Sequence, residues 1–289
     1  AAGAPGGLGE AEARDVRGHL ERLLFDRVFN AALRSCPGYP AQDNMLRAKL
    51  GSLRFLEPKH FGADFVMGPL GLEWDLAQEE LCKILGCRSP IDMLGCVRAA
   101  VRLVALAVDR CKRQASSAPL AAGPGRRGEE GGGGGGGGGG AVGADDLLPA
   151  LTWVVVQANP PELWSRTWFM QYYMGAEAAI TEAGYCCTQL QAVIDFVLGV
   201  EDCSSLKGLA PAAFHAGAGA AALTEEALRA ARAGDAERVD ALLAAGARYD
   251  QLGATQQHTV LTAAAEHGSY EMVEAILEHH RERVLREEE

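Results

Sequence analysis

The 289-residue chain carries 27 basic and 38 acidic side chains, a net charge of −11, and no Lys/Arg cluster offsets that balance; a surface for nucleic acid is excluded. Nearly half of the residues are hydrophobic (48%), which suffices for one large core or two ordinary ones. The strongest apolar stretch, "RAAVRLVALAV" at 98–108, is too short and too interrupted by arginine to span a bilayer.

The first residues, "AAGAPGGLGEAEARD", have neither the basic nor the apolar segment of a secretory signal, and 1–12 read as a disordered lead-in or the start of a fragment. Residues 13–112 read as helices joined by short turns. In "RDVRGHLERLLFDRVFNAAL" the residues Val16, Leu20, Leu23, Leu24, Val28 and Phe29 form one apolar stripe at helical spacing. "NMLRAKLGSLRFLEPKHFG" repeats the pattern and stops at a proline and a glycine. "WDLAQEELCKILGCRSP" and "IDMLGCVRAAVRLVALAVDRCKR" add two more helices, with Asp75 and Ser89 as N-caps and Pro90 in a first turn. The eight cysteines (Cys36, Cys82, Cys87, Cys96, Cys111, Cys186, Cys187, Cys203) contain no CxxC pair. They read as reduced thiols of a cytosolic protein rather than as disulfides or a zinc site.

From 114 to 143 periodicity stops. This Gly-rich segment, with ten consecutive glycines, reads as a disordered insertion whose composition cannot offset the entropy of fixing it. Its mean span of roughly 30 Å would bridge neighbouring helices. After it, Leu147, Leu148, Leu151, Val154, Val155 and Ala158 predict a helix over 146–158 that Pro160–Pro161 ends. Asp145 and Asp146 stand at its mouth, where either could cap the helix and favour its positive end, or point at a partner. "ELWSRTWFMQYYM" and "TQLQAVIDFVLGV" predict two further helices that complete the bundle. Trp153, Trp164 and Trp168 read as core and groove wall. Ser165, the histidines and the carboxylates show no spacing of a nucleophilic triad or acid/base pair. Tyr185 reads as a half-buried core aromatic or a contact residue, and Thr188 as an N-cap or a contact residue.

The tail holds an internal repeat. Ala231 aligns with Ala265, Gly234 with Gly268, Val239 with Val273 and Leu243 with Leu277, each pair 34 residues apart. "TVLTAAAEHG" and "LLAAGARYD" resemble the ankyrin signature. Two such units over 224–289 suggest an array cut short, and 208–223 read as the linker to it.

The segment "ADDLLPALTWVVVQANPPELWSRTWFMQYYM…GYCCTQLQAVIDFV" resembles the VPS-nine domain family of guanine nucleotide exchange factors for the Rab-five group of small GTPases. The earlier helices follow the family more loosely, so that the resemblance covers about 16–200. With ankyrin repeats behind it, the arrangement is similar to the Varp-type branch, which implies Rab-twenty-one as a further partner. The resemblance implies an all-α helical bundle over 13–207. It places the exchange residues at Asp145, Pro149, Tyr185 and Thr188, with Asn159 as a partner-binding residue and Asp146 left to cap the helix. Cys186, Cys187 and Gln189 depart from the family pattern behind Tyr185. It further implies exchange activity without covalent chemistry and without a cofactor of its own, GDP, GTP and Mg²⁺ belonging to the GTPase. Protein partners would dock on the ankyrin units, and the protein would lie in the cytoplasm, peripherally on early endosomes or vesicles. A scaffold that binds the GTPase without releasing its nucleotide is the alternative.

Overall fold

The computed structural model describes residues 9–63, 72–117, 144–250 and 258–287. Among them every regular element is helical, as the periodicity predicts. Most of the Gly-rich insertion, residues 118–143, lies outside the described residues, as do 1–8 of the lead-in.

The first helix, α1 (Glu10–Arg34), begins inside the expected lead-in, and its inner face differs from the predicted one. Phe25, Phe29 and Leu33, spaced by four, are buried, whereas Val16, Leu20, Leu23, Leu24 and Val28 are exposed. The aromatics decide the orientation: Phe25 and Phe29 meet the Phe169 ring edge-on at 5.2 and 5.3 Å. Two apolar stripes compete on this helix, and the bulkier payload turns inward. Next, α2 (Ala41–Ser52) stops well before Pro58, which instead opens a short 3-10 turn ending at Gly62.

Helix α3 (Leu72–Cys82) contains Asp75 within its first turn rather than at an N-cap. The predicted cap at Ser89 is present. Its Oγ accepts the Asp92 N–H at 3.2 Å and donates to the Asp92 carboxylate at 2.8 Å, with Pro90 as the first residue of α4 (Pro90–Ser117). The first four residues of the expected insertion, 114–117, therefore continue α4. This helix is the spine of the body, its inner face a run from Met93 to Cys111 that is buried at nearly every third or fourth position.

α5 (Ala144–Ala158) lies across the spine. Beyond the predicted stripe, Thr152, Trp153 and Val156 are buried too, so the helix is enclosed on all sides past its second turn. An all-round apolar helix needs such a place. α6 (Leu163–Tyr173) is anchored by buried polar side chains that periodicity does not show. The Arg166 guanidinium donates to the Ile84 and Cys87 carbonyls and to Glu162, and Asp43 accepts the Ser165 N–H at 3.0 Å and its hydroxyl. Breaking a buried charged contact of this kind costs about 3–5 kcal/mol. A short α7 (Ala176–Ala179) leads into α8 (Glu182–Gly199).

The expected linker is helical. α9 (Pro211–Ala233) runs straight through it, since its alanines favour helix strongly enough to carry Gly217 and Gly219 along. Its start belongs to the body, with Phe214 buried there beside Phe55. Its end packs on α10 (Ala236–Ala244), α11 (Val260–His267) and α12 (Tyr270–Glu287) around a second core. The 34-residue repeat is visible in the backbone. Gly234 and Gly268 end their helices at φ of 79° and 77°, and the next residues, Asp235 and Ser269, donate to the Ala230 and Ala264 carbonyls. Glycine suits that left-handed position. Val239 and Leu243 are buried, while their counterparts are a partly buried Val273 and an exposed Leu277.

Candidate functional site

The first turn of α5 supplies the two acids. Asp145 is exposed and has no hydrogen-bond or ion-pair partner among the described residues. Asp146 is ion-paired with the Lys112 ammonium near the end of α4, its side chain 28% exposed against 43% for Lys112. The expected capping role of Asp146 is thus replaced by a tie between two helices. Pro149 is the sixth residue of α5, so it sits in the second turn. Lacking an N–H, it leaves the Asp145 carbonyl without its helical donor.

The first turns of α8 supply the other two residues. Tyr185 is 51% exposed, and Thr188, one turn on, is also exposed. Neither alternative reading holds: Tyr185 is not a core residue, and Thr188 stands inside the helix, its Oγ donating to the Gly184 carbonyl at 3.2 Å. A β-carbon on Gly184 would stand 2.3 Å from the Ala179 carbonyl oxygen, so only glycine lets α7 fold this closely onto the turn bearing Tyr185. Behind that turn Cys186 and Cys187 are buried in the main core and act as small apolar groups. Burial pushes the Cys187 thiol up to about 12, with Cys186 beside it adding to the shift.

Asp145, Pro149, Tyr185 and Thr188 come to neighbouring helices through α4. α5 and α8 pack on this spine and on each other. Arg102 of α4 is ion-paired with Glu182 in the first turn of α8, and Lys112 with Asp146 in the first turn of α5. Ten residues of helix separate these ties, about 15 Å of rise. Neither tie is visible in the sequence, because 80 residues separate one pair and 34 the other. Asn159 does not join the group. It closes α5 with φ of 40° and is 1% exposed, its side-chain amide without a partner among the described residues. Its place is the chain reversal, where asparagine tolerates a positive φ, and the expected partner contact is not available to it.

Trp153 is buried against Trp74, while Trp164 and Trp168 are half-buried at the edge of the core. Ser165 is fully buried on Asp43. All eight cysteines are free thiols, with Cys87 and Cys96 3.7 Å apart. Among the described residues there is no group of three metal-ligating side chains, and no helix is long and apolar enough to cross a membrane.

The class defined here is an all-helical domain that presents the opening turns of two neighbouring helices, one acidic and one aromatic. Residues 74–202, from α3 to just past α8, match the family model of the Vacuolar sorting protein 9 (VPS9) domain. The chain is 24% identical over 196 residues to Vacuolar protein sorting-associated protein 9A of Oryza sativa subsp. japonica, covering 68% of this chain and 36% of that protein. It is 26% identical over 165 residues to Receptor-mediated endocytosis protein 6 homolog of Drosophila pseudoobscura pseudoobscura, covering 55% of this chain and 8% of that one. Against VPS9 domain-containing protein 1 of Homo sapiens it is 29% identical over 136 residues, 45% of this chain and 19% of the other. The chain thus spans about a third of the length of the first of these relatives.

Proposed function

We propose that this chain is a guanine nucleotide exchange factor for small GTPases of the Rab-five subfamily, Rab-twenty-one among them, acting in vesicle trafficking. The observation that carries this reading is Asp145, an exposed carboxylate on the opening turn of α5 with no partner among the described residues, with exposed Tyr185 and Thr188 on the adjoining helix. Exchange is linkage: a protein that binds the nucleotide-free GTPase better than the loaded one lowers the affinity for nucleotide in return. Asp145 reaches toward the phosphate site, pairs there with the GTPase's phosphate-loop lysine, and opposes the phosphate oxygens and the bound Mg²⁺ of the GTPase by charge and space. Pro149 stiffens the second turn behind it. Tyr185 gives a mobile switch segment a flat apolar face with a polar tip, and Thr188 offers a hydroxyl to switch backbone. Gripping such a segment in its open form is how release is accelerated.

The repeated helix pairs over 224–289 are, in this reading, ankyrin units, consistent with their 34-residue period and left-handed glycines, and they bind further protein partners. Association with early endosomes would be peripheral. The test is release of labelled GDP from a panel of purified Rab proteins. Acceleration confined to the Rab-five subfamily is expected, and no acceleration of any member contradicts the reading.

A further inference from the structure

We infer that Lys112 and Asp146 are a positioning pair that decides which acid of α5 is free to act, an inference that rests on the exchange reading above. The first turn of α5 holds two carboxylates, Asp145 and Asp146. Neighbouring residues of a helix project about 100° apart, and the ammonium arriving from α4 meets Asp146. Asp109, one turn before Lys112, is held by Arg113. The charges of Lys112 and Asp146 offset each other locally, and among the described residues the turn presents a single uncompensated carboxylate, that of Asp145.

The pair has a second consequence. Where Asp146 loses its charge, the Lys112 ammonium stays beside the same turn, and the one carboxylate left on that turn is Asp145. Lys112 then closes on Asp145 and competes with the lysine of the GTPase. Asp146 thus keeps Lys112 away from its neighbour, and it contributes to exchange without touching the GTPase. Loss of a mere structural tie would be left unchanged by removing Lys112 as well, whereas release of a competing charge would be relieved by it.

The experiment compares labelled-GDP release by the whole chain, the Asp146→Asn variant and the Asp146→Asn/Lys112→Met double variant, with Asp145→Asn in parallel. Asp146→Asn should slow release about fivefold, the size an exposed ion pair supports. The double variant should return to within about twofold of the parent, since the competing charge is gone. A parental rate for Asp146→Asn, or a double variant as slow as the single one, overturns the inference. A crystal structure of Asp146→Asn alone should place the Lys112 Nζ within about 4 Å of the Asp145 carboxylate, and a lysine that stays away overturns the inference whatever the exchange rates. Asp145→Asn exchanging like the parent would instead remove the exchange reading, and that structure would still decide the pairing.

Discussion

The body and the tail of this chain are both built of helices, yet they hold together differently. The body buries Phe169, Trp74, Met93 and Leu151 and pins its corners with charged side chains such as Arg166 and Asp43. The tail's core is rich in alanine, with Ala227, Ala230, Ala231, Ala263 and Ala264 bringing helices close, and its outer face leaves Leu277 exposed. Bulky cores are self-sufficient, whereas stacked small-residue units depend on their neighbours. α9 joins the two, its first turns in one core and its last in the other.

The comparison can be broken first in the body. Phe169 is fully buried and meets the rings of Phe25, Phe29 and Tyr173. Phe169→Ala should cost about 3–5 kcal/mol, read from urea denaturation by tryptophan fluorescence. All four tryptophans, Trp74, Trp153, Trp164 and Trp168, lie in the body, so that signal reports the body alone. A cost below about 1 kcal/mol would mean that this core yields as readily as an exposed one.

A smaller change tests the joint. A β-carbon on Gly217 of α9 would fall 2.3 Å from the Phe55 ring, which itself packs on Phe214. Gly217→Val should cost about 1–3 kcal/mol by overpacking and loosen α9 from the body. Fluorescence and far-ultraviolet circular dichroism, which should coincide in the parent, should then separate, with the tail melting earlier. Coincident transitions in the variant would mean that the tail is stable without this contact.

The smallest effect is one of pH. His60 is buried in the body, and its Nδ1 accepts the Glu57 N–H at 2.9 Å, which requires an unprotonated nitrogen. Burial holds the imidazole below its ordinary value, with Lys59 adding to the shift against the opposing pull of Glu57. The unfolded chain therefore takes up the proton first. Stability from this group is present above the ordinary histidine range and declines as pH falls through it toward the lowered folded value. The body should lose stability between pH 7 and pH 5, and His60→Asn should lose less over that interval. An equal loss in parent and variant would remove His60 from the explanation.

The sequence makes several of these features legible because they are local. The spine α4, the Ser89 cap and the repeat ending at Gly234 and Gly268 follow from spacing and from what serine and glycine do at helix ends. Asp145, Tyr185 and Thr188 are placed by the family resemblance, and the structure leaves all three exposed. What stays hidden is decided at long range. Which stripe of α1 turns inward depends on Phe169, far along the chain, and the burial of Asn159 depends on how the α5–α6 corner closes. The Lys112–Asp146 and Arg102–Glu182 ties join residues no local pattern connects. α9 was hidden for another reason, because glycines and a proline within "GLAPAAFHAGAGAAA" mask a helix that alanine sustains.

The central claim is that Asp145 drives nucleotide release, and one substitution addresses it most directly. Asp145→Asn keeps size and removes charge at an exposed position, so its melting should match the parent's. Release of labelled GDP from a responsive Rab-five-subfamily GTPase should slow by more than about tenfold, equivalent to ~1.4 kcal/mol of lost transition-state stabilisation. An Asp145→Asn protein that releases GDP at the parental rate would contradict the account.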